Sequence, residues 1–112
     1  MECEKWLRDH SHEMTKIFSD GLLPHKPFDV FAHGDCWVNN ILFKYNEDDI
    51  PVDIRFVDFQ NSKKASPVLD LNYFLYSSIN GDLRLAERDT MIGIYYDAFQ
   101  EVFEKSGKPV PN

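Results

Sequence analysis

A chain of 112 residues has room for one domain and one modest core, which buries roughly two-thirds of the surface that its unfolded form exposes. With 43% hydrophobic residues, nine Phe and five Tyr, it is too rich in large apolar side chains to stay disordered. A net charge of -7, from 19 acidic and 12 basic residues, gives a phosphate backbone nothing to bind and argues against nucleic acid as a partner.

Cys3, Trp6, Leu7, His10, Met14, Ile17 and Phe18 recur at three- and four-residue steps, so the spacing predicts one amphipathic helix over 3–20, stopped by Gly21 and Pro24. "FDVFA" at 28–32 predicts a short strand that delivers the chain into "HGDCWVNN" at 33–40, a loop dense in polar groups. "NILFKY" and "VDIRFVDF" flank the polar "NEDDIP" and predict a hairpin from about Ile41 to Phe59. "QNSKKASP" reads as a polar loop, with Lys63 and Lys64 solvated. "VLDLNYFLYSSI" is apolar on nearly every side and predicts a buried helix from about Pro67. A last helix carries Ile92, Tyr95, Tyr96, Phe99 and Phe103 as core and ends at Gly107 and Pro109. The fold class is therefore α+β, in a single unit over 1–112.

The two cysteines, Cys3 and Cys36, form neither a CxxC pair nor a disulfide framework, which fits a reducing, cytoplasmic setting. The charged N-terminus lacks the apolar core of a signal peptide, and no window approaches the roughly 18 apolar residues of a membrane span, so no membrane partner is expected.

Asp35 and Asn40 stand five residues apart in one loop, and Asp58 stands where the returning hairpin strand ends. Carboxylates and a carboxamide oxygen suit a hard divalent cation such as Mg²⁺. Phosphoryl transfer needs little else from protein than an aspartate to take the proton of the attacking hydroxyl and metal to neutralise the phosphates. The spacing is that of the kinase catalytic loop, with Asp58-Phe59 as the metal-binding dipeptide and Gln60 in place of glycine. Asp35 is the candidate base, and Asn40 and Asp58 are the candidate ligands of metal and cofactor.

"HGDCWVNNILF", "VDIRFVDFQ" and "SPVLDLNYFL" together resemble the ecdysteroid kinase-like (EcKinase, CHK kinase-like) family, a relative of choline kinases and aminoglycoside phosphotransferases. The blocks stand in order across 33–75. The resemblance implies a protein-kinase-like C-lobe and ATP-dependent, magnesium-assisted phosphorylation of a hydroxyl on a small molecule. It implies that His33 braces the loop and that Asp70 ties a buried helix to it through hydrogen bonds. Where relatives carry arginine, an aromatic and glycine before Ser-Pro, this chain has Lys63, Lys64 and Ala65. A phosphate-covering glycine loop, an N-lobe lysine with its glutamate, and the family's later helices are not found in the sequence. The expectation is a partial domain whose missing lobe comes from a longer chain, or a catalytically inactive fragment that acts by binding.

Other chemistries fit less well. His10 and His12, two apart, point in different directions on a helix and cannot chelate together; His10 belongs on the apolar stripe, His12 outside, and His25 in a loop. "NEDD" lacks the glycine and terminal glutamate of a calcium loop and reads as a hairpin tip. Cys36 and Trp37 are packing residues, since a buried thiol is commoner than a nucleophile. Carboxylate-pair glycoside hydrolysis gives Asn40 no role.

Overall fold

The computed structural model describes every residue except Met1, Leu22, His25, Pro27 and Asn112, so the expectation for His25 lies outside the described residues. In chain order the elements are helices α1 (Glu2–Asp9) and α2 (Met14–Gly21), strands β1 (Val30–Ala32), β2 (Ile41–Tyr45), β3 (Pro51–Phe56) and β4 (Lys63–Ala65), and helices α3 (Val68–Ser77) and α4 (Gly81–Ser106). Short 3₁₀ turns at Val38–Asn40 and Phe59–Asn61 lie on either side of the hairpin. The α+β class is as the sequence predicts.

The single N-terminal helix expected over 3–20 is two helices. Between them the Nδ1–H of His10 donates to the Trp6 carbonyl at 2.8 Å and the Ser11 hydroxyl donates to the Arg8 carbonyl at 3.1 Å. Side chains that bond back to the last carbonyls compete with the helical ladder, and the chain turns at 10–13. His10 stacks on Trp6 with ring centroids 4.5 Å apart, so its place on the apolar stripe holds, but neither helix contains a buried residue.

The hairpin is β2 paired antiparallel with β3, in the register Ile41↔Phe56 to Lys44↔Asp53. Its tip is an Asx turn: Asn46 Oδ1 accepts from the amides of Asp48 at 3.0 Å and Ile50 at 2.9 Å, while Asp49 takes a positive φ of 58°. The acidic stretch "NEDD" thus closes a turn.

The polar stretch expected to be a loop contains a strand instead. β4 pairs antiparallel with β1, Val30 facing Ala65 and Ala32 facing Lys63. Ala32 and Ala65 are both fully buried, and Lys64 reaches the buried Asp29 carboxylate at 3.3 Å. Small side chains let other elements close over this pair of strands, while Lys63 and Lys64 stay exposed as composition predicts, Lys64 paired with Asp29 from the solvent side.

α3 begins after Pro67, as read from the sequence, yet it is not a buried helix. Leu75 is its one buried residue, and Val68, Tyr73 and Tyr76 are exposed. Asp70, Leu71 and Phe74 face the loop and α4; the opposite side opens onto a cleft. α4 is capped at both ends: Asn80 Oδ1 accepts from the Asp82 amide at 2.8 Å, and Gly107, at φ 69°, lets the Lys108 amide reach the Phe103 carbonyl at 3.2 Å. The Arg84 guanidinium lies 4.5 Å over the Tyr76 ring and donates to the Leu75 and Ile79 carbonyls, tying α4 to the end of α3. Phe99 packs among Phe28, Tyr95, Tyr96 and Phe103, but none of the stripe expected as core is buried: Tyr95, Phe99 and Phe103 are half-buried, and Ile92 and Tyr96 are 40% exposed.

Candidate active site

Among the described residues the buried polar ones are His33 and Asn40, and both belong to the 33–40 loop. Each must be hydrogen-bonded to be tolerated there. His33 sends Nε2–H to the Val57 carbonyl at 2.9 Å and receives the Asp35 amide on Nδ1 at 3.3 Å, an arrangement that selects the Nε2-protonated tautomer. Its ring rests against Phe59, with centroids 4.8 Å apart, and against Phe56 at 6.0 Å.

Asp70 grips the loop from α3. Its two oxygens accept the backbone amides of His33 at 2.6 Å and Gly34 at 2.8 Å, which are charge-assisted bonds at the strand-to-loop corner. Gly34 has φ 82°, and a Cβ at that position would stand 2.2 Å from the Asn61 carbonyl oxygen, so only glycine lets the loop close on the segment after the hairpin. Ser62 adds a hydroxyl bond to the His33 carbonyl at 3.3 Å, and Ser78 accepts the Val38 amide at 2.8 Å.

Asn40 and Asp35 are in direct contact. The Asn40 Nδ2 donates to the Asp35 backbone carbonyl at 2.9 Å and to its carboxylate at 3.0 Å, which uses the donor side of the amide and leaves its Oδ1 as the acceptor side. The Val57 amide donates to the Asn40 carbonyl at 3.0 Å, so the hairpin ladder continues one step and places Asn40 and Asp58 at the same end of the hairpin. Asp58 has φ 64° and ψ 62°, left-handed backbone that few non-glycine residues adopt, and its side chain caps nothing. Gln60 Nε2 alone donates to it among the described residues, at 3.3 Å. A strained backbone at a carboxylate not used for capping is characteristic of a functional position.

The loop thus brings Asp35, Asn40, His33 and Asp70 together, with Asp58 beside them at the hairpin end. A carboxylate and a carboxamide oxygen free of structural duties fit Mg²⁺, which takes few protein ligands and keeps its waters. No cluster of three His, Cys, Asp or Glu occurs among the described residues, so a purely ionisable ligand set is not on offer.

Two clefts border the loop. One, of about 850 Å³, has Asp35 and Gly34 on one side and Phe18, Leu69, Tyr73 and Tyr76 on the other. The second, of about 600 Å³, is apolar and lies between β1, the hairpin, α3 and α4, with Cys36 on its wall. Burial, then the charges of Asp70 and Asp35, push the Cys36 thiol up to about 11, which disqualifies it as a nucleophile near neutral pH. Trp37 is half-buried beside it.

Sequence reasoning missed Tyr73, Ser78 and the backbone partners at Val57 and Asn61. Tyr73 stands three residues after Asp70 on α3, the same-face spacing of a helix, which was the available signal. Its phenol is held protonated above the usual range, chiefly by a hydrogen bond to Asp35, then by desolvation and by the Asp35 charge.

An aspartate held by an asparagine five residues on, with a second aspartate returned by a hairpin, has the spacing of a kinase catalytic loop. Residues 2–108 match the ecdysteroid kinase-like family, and the chain belongs to it. No curated protein and no solved structure matches the chain. No helix among the described residues is long and apolar enough to cross a membrane.

Proposed function

We propose that this chain carries the catalytic half of an ATP-dependent phosphotransferase that acts on a hydroxyl of a small molecule. The observation that supports this best is the Asn40 amide bonded to the Asp35 carboxylate while the hairpin register sets Asp58 at the same end. In this reading Asp35 accepts the proton of the attacking hydroxyl, His33 and Asp70 hold the loop that carries it, and Asn40 Oδ1 and the Asp58 carboxylate hold Mg²⁺ with ATP. The metal supplies neutralisation of the phosphate oxygens as charge redistributes. The family's name suggests an ecdysteroid-like acceptor, and the mixed aromatic and aliphatic wall facing Asp35 suits a hydroxylated apolar frame. The remaining nucleotide contacts come from a lobe carried on a longer chain or a partner, and the setting is cytoplasmic.

The test is calorimetric titration of the chain with ATP and Mg²⁺ beside Asp58→Ala. Saturable binding that the substitution abolishes is expected; equal binding by both proteins would remove the metal role of Asp58.

A second reading, a catalytically inactive fragment that binds another protein segment, draws support from the hairpin. Leu42, Phe43, Tyr45, Val52, Ile54 and Phe56 are all more than 40% exposed, a patch suited to a protein contact. ATP turnover by the chain alone, lost in Asp35→Ala, would eliminate it.

A further inference from the structure

The loop at 33–40 enters and leaves its bend against α3. Asp70 accepts the amides of His33 and Gly34 at the entrance, and Ser78, the residue that closes α3, accepts the Val38 amide at 2.8 Å at the exit. The eight residues from one grip to the other set them about 12 Å apart along a helix. Ser78 is itself held, because its amide donates to the Phe74 carbonyl at 2.9 Å and Arg84 of α4 donates to the Leu75 and Ile79 carbonyls on either side of it.

The direction of the hydroxyls follows from counting protons. Ser77 has one and donates it to the Tyr73 carbonyl at 2.6 Å. At the 3.2 Å contact between the two serines, Ser78 is therefore the donor. Its proton points back to Ser77, which leaves a lone pair for the Val38 amide. The bonds form a relay in one direction, from Val38 N–H through Ser78 and Ser77 to the Tyr73 carbonyl, and each polarises the next.

The relay holds the 3₁₀ turn Val38–Asn40. Trp37, which precedes the turn, has no side-chain oxygen for its free amides, and no side-chain cap is made there. Ser78 supplies an acceptor from forty positions away. At the other end of the turn the Asn40 carbonyl accepts the Val57 amide at 3.0 Å. Three residues are thus pinned at both ends, by α3 and by the hairpin, and the last of them is the asparagine whose Nδ2 bonds the Asp35 carbonyl and carboxylate. The bond between Ser78 and Val38 is exposed, so water can replace it with little loss of stability, but water does not fix a direction.

We infer that Ser78 is a positioning residue for Asn40: by holding the Val38 amide it orients the turn that sets the Asn40 carboxamide on the Asp35 carboxylate. A consequence for ATP-Mg²⁺ binding rests on the phosphotransfer reading, while the coupling of Ser78 to Asn40 stands without it.

The experiment compares Ser78→Thr with Ser78→Val in the full chain, two side chains of one shape of which only threonine keeps the hydroxyl. Hydrogen exchange is followed by ¹H–¹⁵N NMR at the Val38 amide and at the Asn40 carboxamide, the latter assigned by its loss in Asn40→Asp. Ser78→Val is expected to speed exchange at both groups by about tenfold, the effect of one hydrogen bond, and Ser78→Thr to keep them near the parent. The Tm of Ser78→Val should fall by less than about 5 °C. Ser78→Ala, which cannot crowd the corner, should repeat the valine result. Ser106→Ala, which removes a serine bonded to the Phe103 carbonyl at the far end of α4, should leave Asn40 unchanged. ATP-Mg²⁺ affinity, measured by calorimetry, should fall about tenfold in Ser78→Val and be kept in Ser78→Thr. Asn40 exchange no faster in Ser78→Val and Ser78→Ala than in Ser78→Thr overturns the inference, and so does equal ATP-Mg²⁺ affinity in the three variants of a chain whose parent binds it. A parent that fails to bind ATP-Mg²⁺ counts instead against the phosphotransfer reading, and the exchange rates still decide whether Ser78 positions Asn40.

Discussion

The loop at 33–40 and the hairpin that follows it are neighbours in sequence with opposite physical character. Two of the loop's polar residues, His33 and Asn40, are buried, and its backbone is bonded from α3, from the hairpin end and from the segment after it. Past Ile41, every residue of β2 and β3 is exposed, aromatics included. Apolar burial usually holds a chain and polar groups decorate it; here the 33–40 loop is held by a polar network, and the apolar side chains of the hairpin stand in solvent. Hydrogen bonds have direction and apolar contacts do not, so a network is the better device where a carboxylate must be aimed.

If that contrast is real, cutting the network should cost far more than eroding the hairpin. Asp70→Ala removes two charge-assisted bonds, each worth roughly 1.5–3 kcal/mol, and should lower unfolding free energy by about 4 kcal/mol in urea titration. Hydrogen exchange at the His33 and Gly34 amides should accelerate in step. A loss under about 1 kcal/mol would show that the loop is held by packing instead.

Gly34→Ala tests the same corner by sterics. A Cβ 2.2 Å from the Asn61 oxygen, on backbone at φ 82°, forces the loop away from that segment. The expected cost is roughly 3 kcal/mol, from left-handed backbone and overpacking together. A stability equal to the parent's would mean that the two segments are not in contact in solution.

Cys36 sharpens the comparison by chemistry. With its thiol raised from 9.0 to about 11, the thiolate fraction below both values is cut roughly 100-fold, and iodoacetamide at pH 8 should alkylate it more slowly than the exposed Cys3. Because the folded value is the raised one, Cys36 favours the fold below its ordinary pKa and that contribution is lost as pH climbs toward 11. Peptide mapping after timed alkylation gives the two rates; equal rates would place Cys36 in water.

The smallest effect belongs to the hairpin. Ile54→Thr, at a strand position 43% exposed, should change stability by no more than about 0.5 kcal/mol. A larger loss in the isolated chain would show that the hairpin is covered in solution, by a second copy for instance, and a dependence on protein concentration would identify that case.

The site was more legible than its supports. Asp35, Asn40 and Asp58 could be read from spacing, because a five-residue step and a hairpin return bring groups together by local geometry. Ser78 could not, because nothing in the sequence states where the end of α3 meets the loop. Lys64 illustrates the same limit: it is exposed, as composition says, but its partner, Asp29, is thirty-five positions away and could not be read. The break at 10–13 went unread for a different reason. The apolar period runs through it, and the backbone instead obeys His10 and Ser11 bonding to the preceding carbonyls.

The amino-acid order alone determined the α+β class, the loop chemistry, the hairpin with its Asn46 turn, and the Asn80 and Gly107 limits of the last helix, all features set by residues within a few positions of one another. Tertiary structure alone decided that β4 pairs with β1, that α3 shows one side to the loop and the other to a cleft, and that Ser78 and Asn61 meet the loop. Each of these is a contact across roughly thirty or more residues, where the free energy of bringing distant groups together depends on the whole packing and not on any local preference.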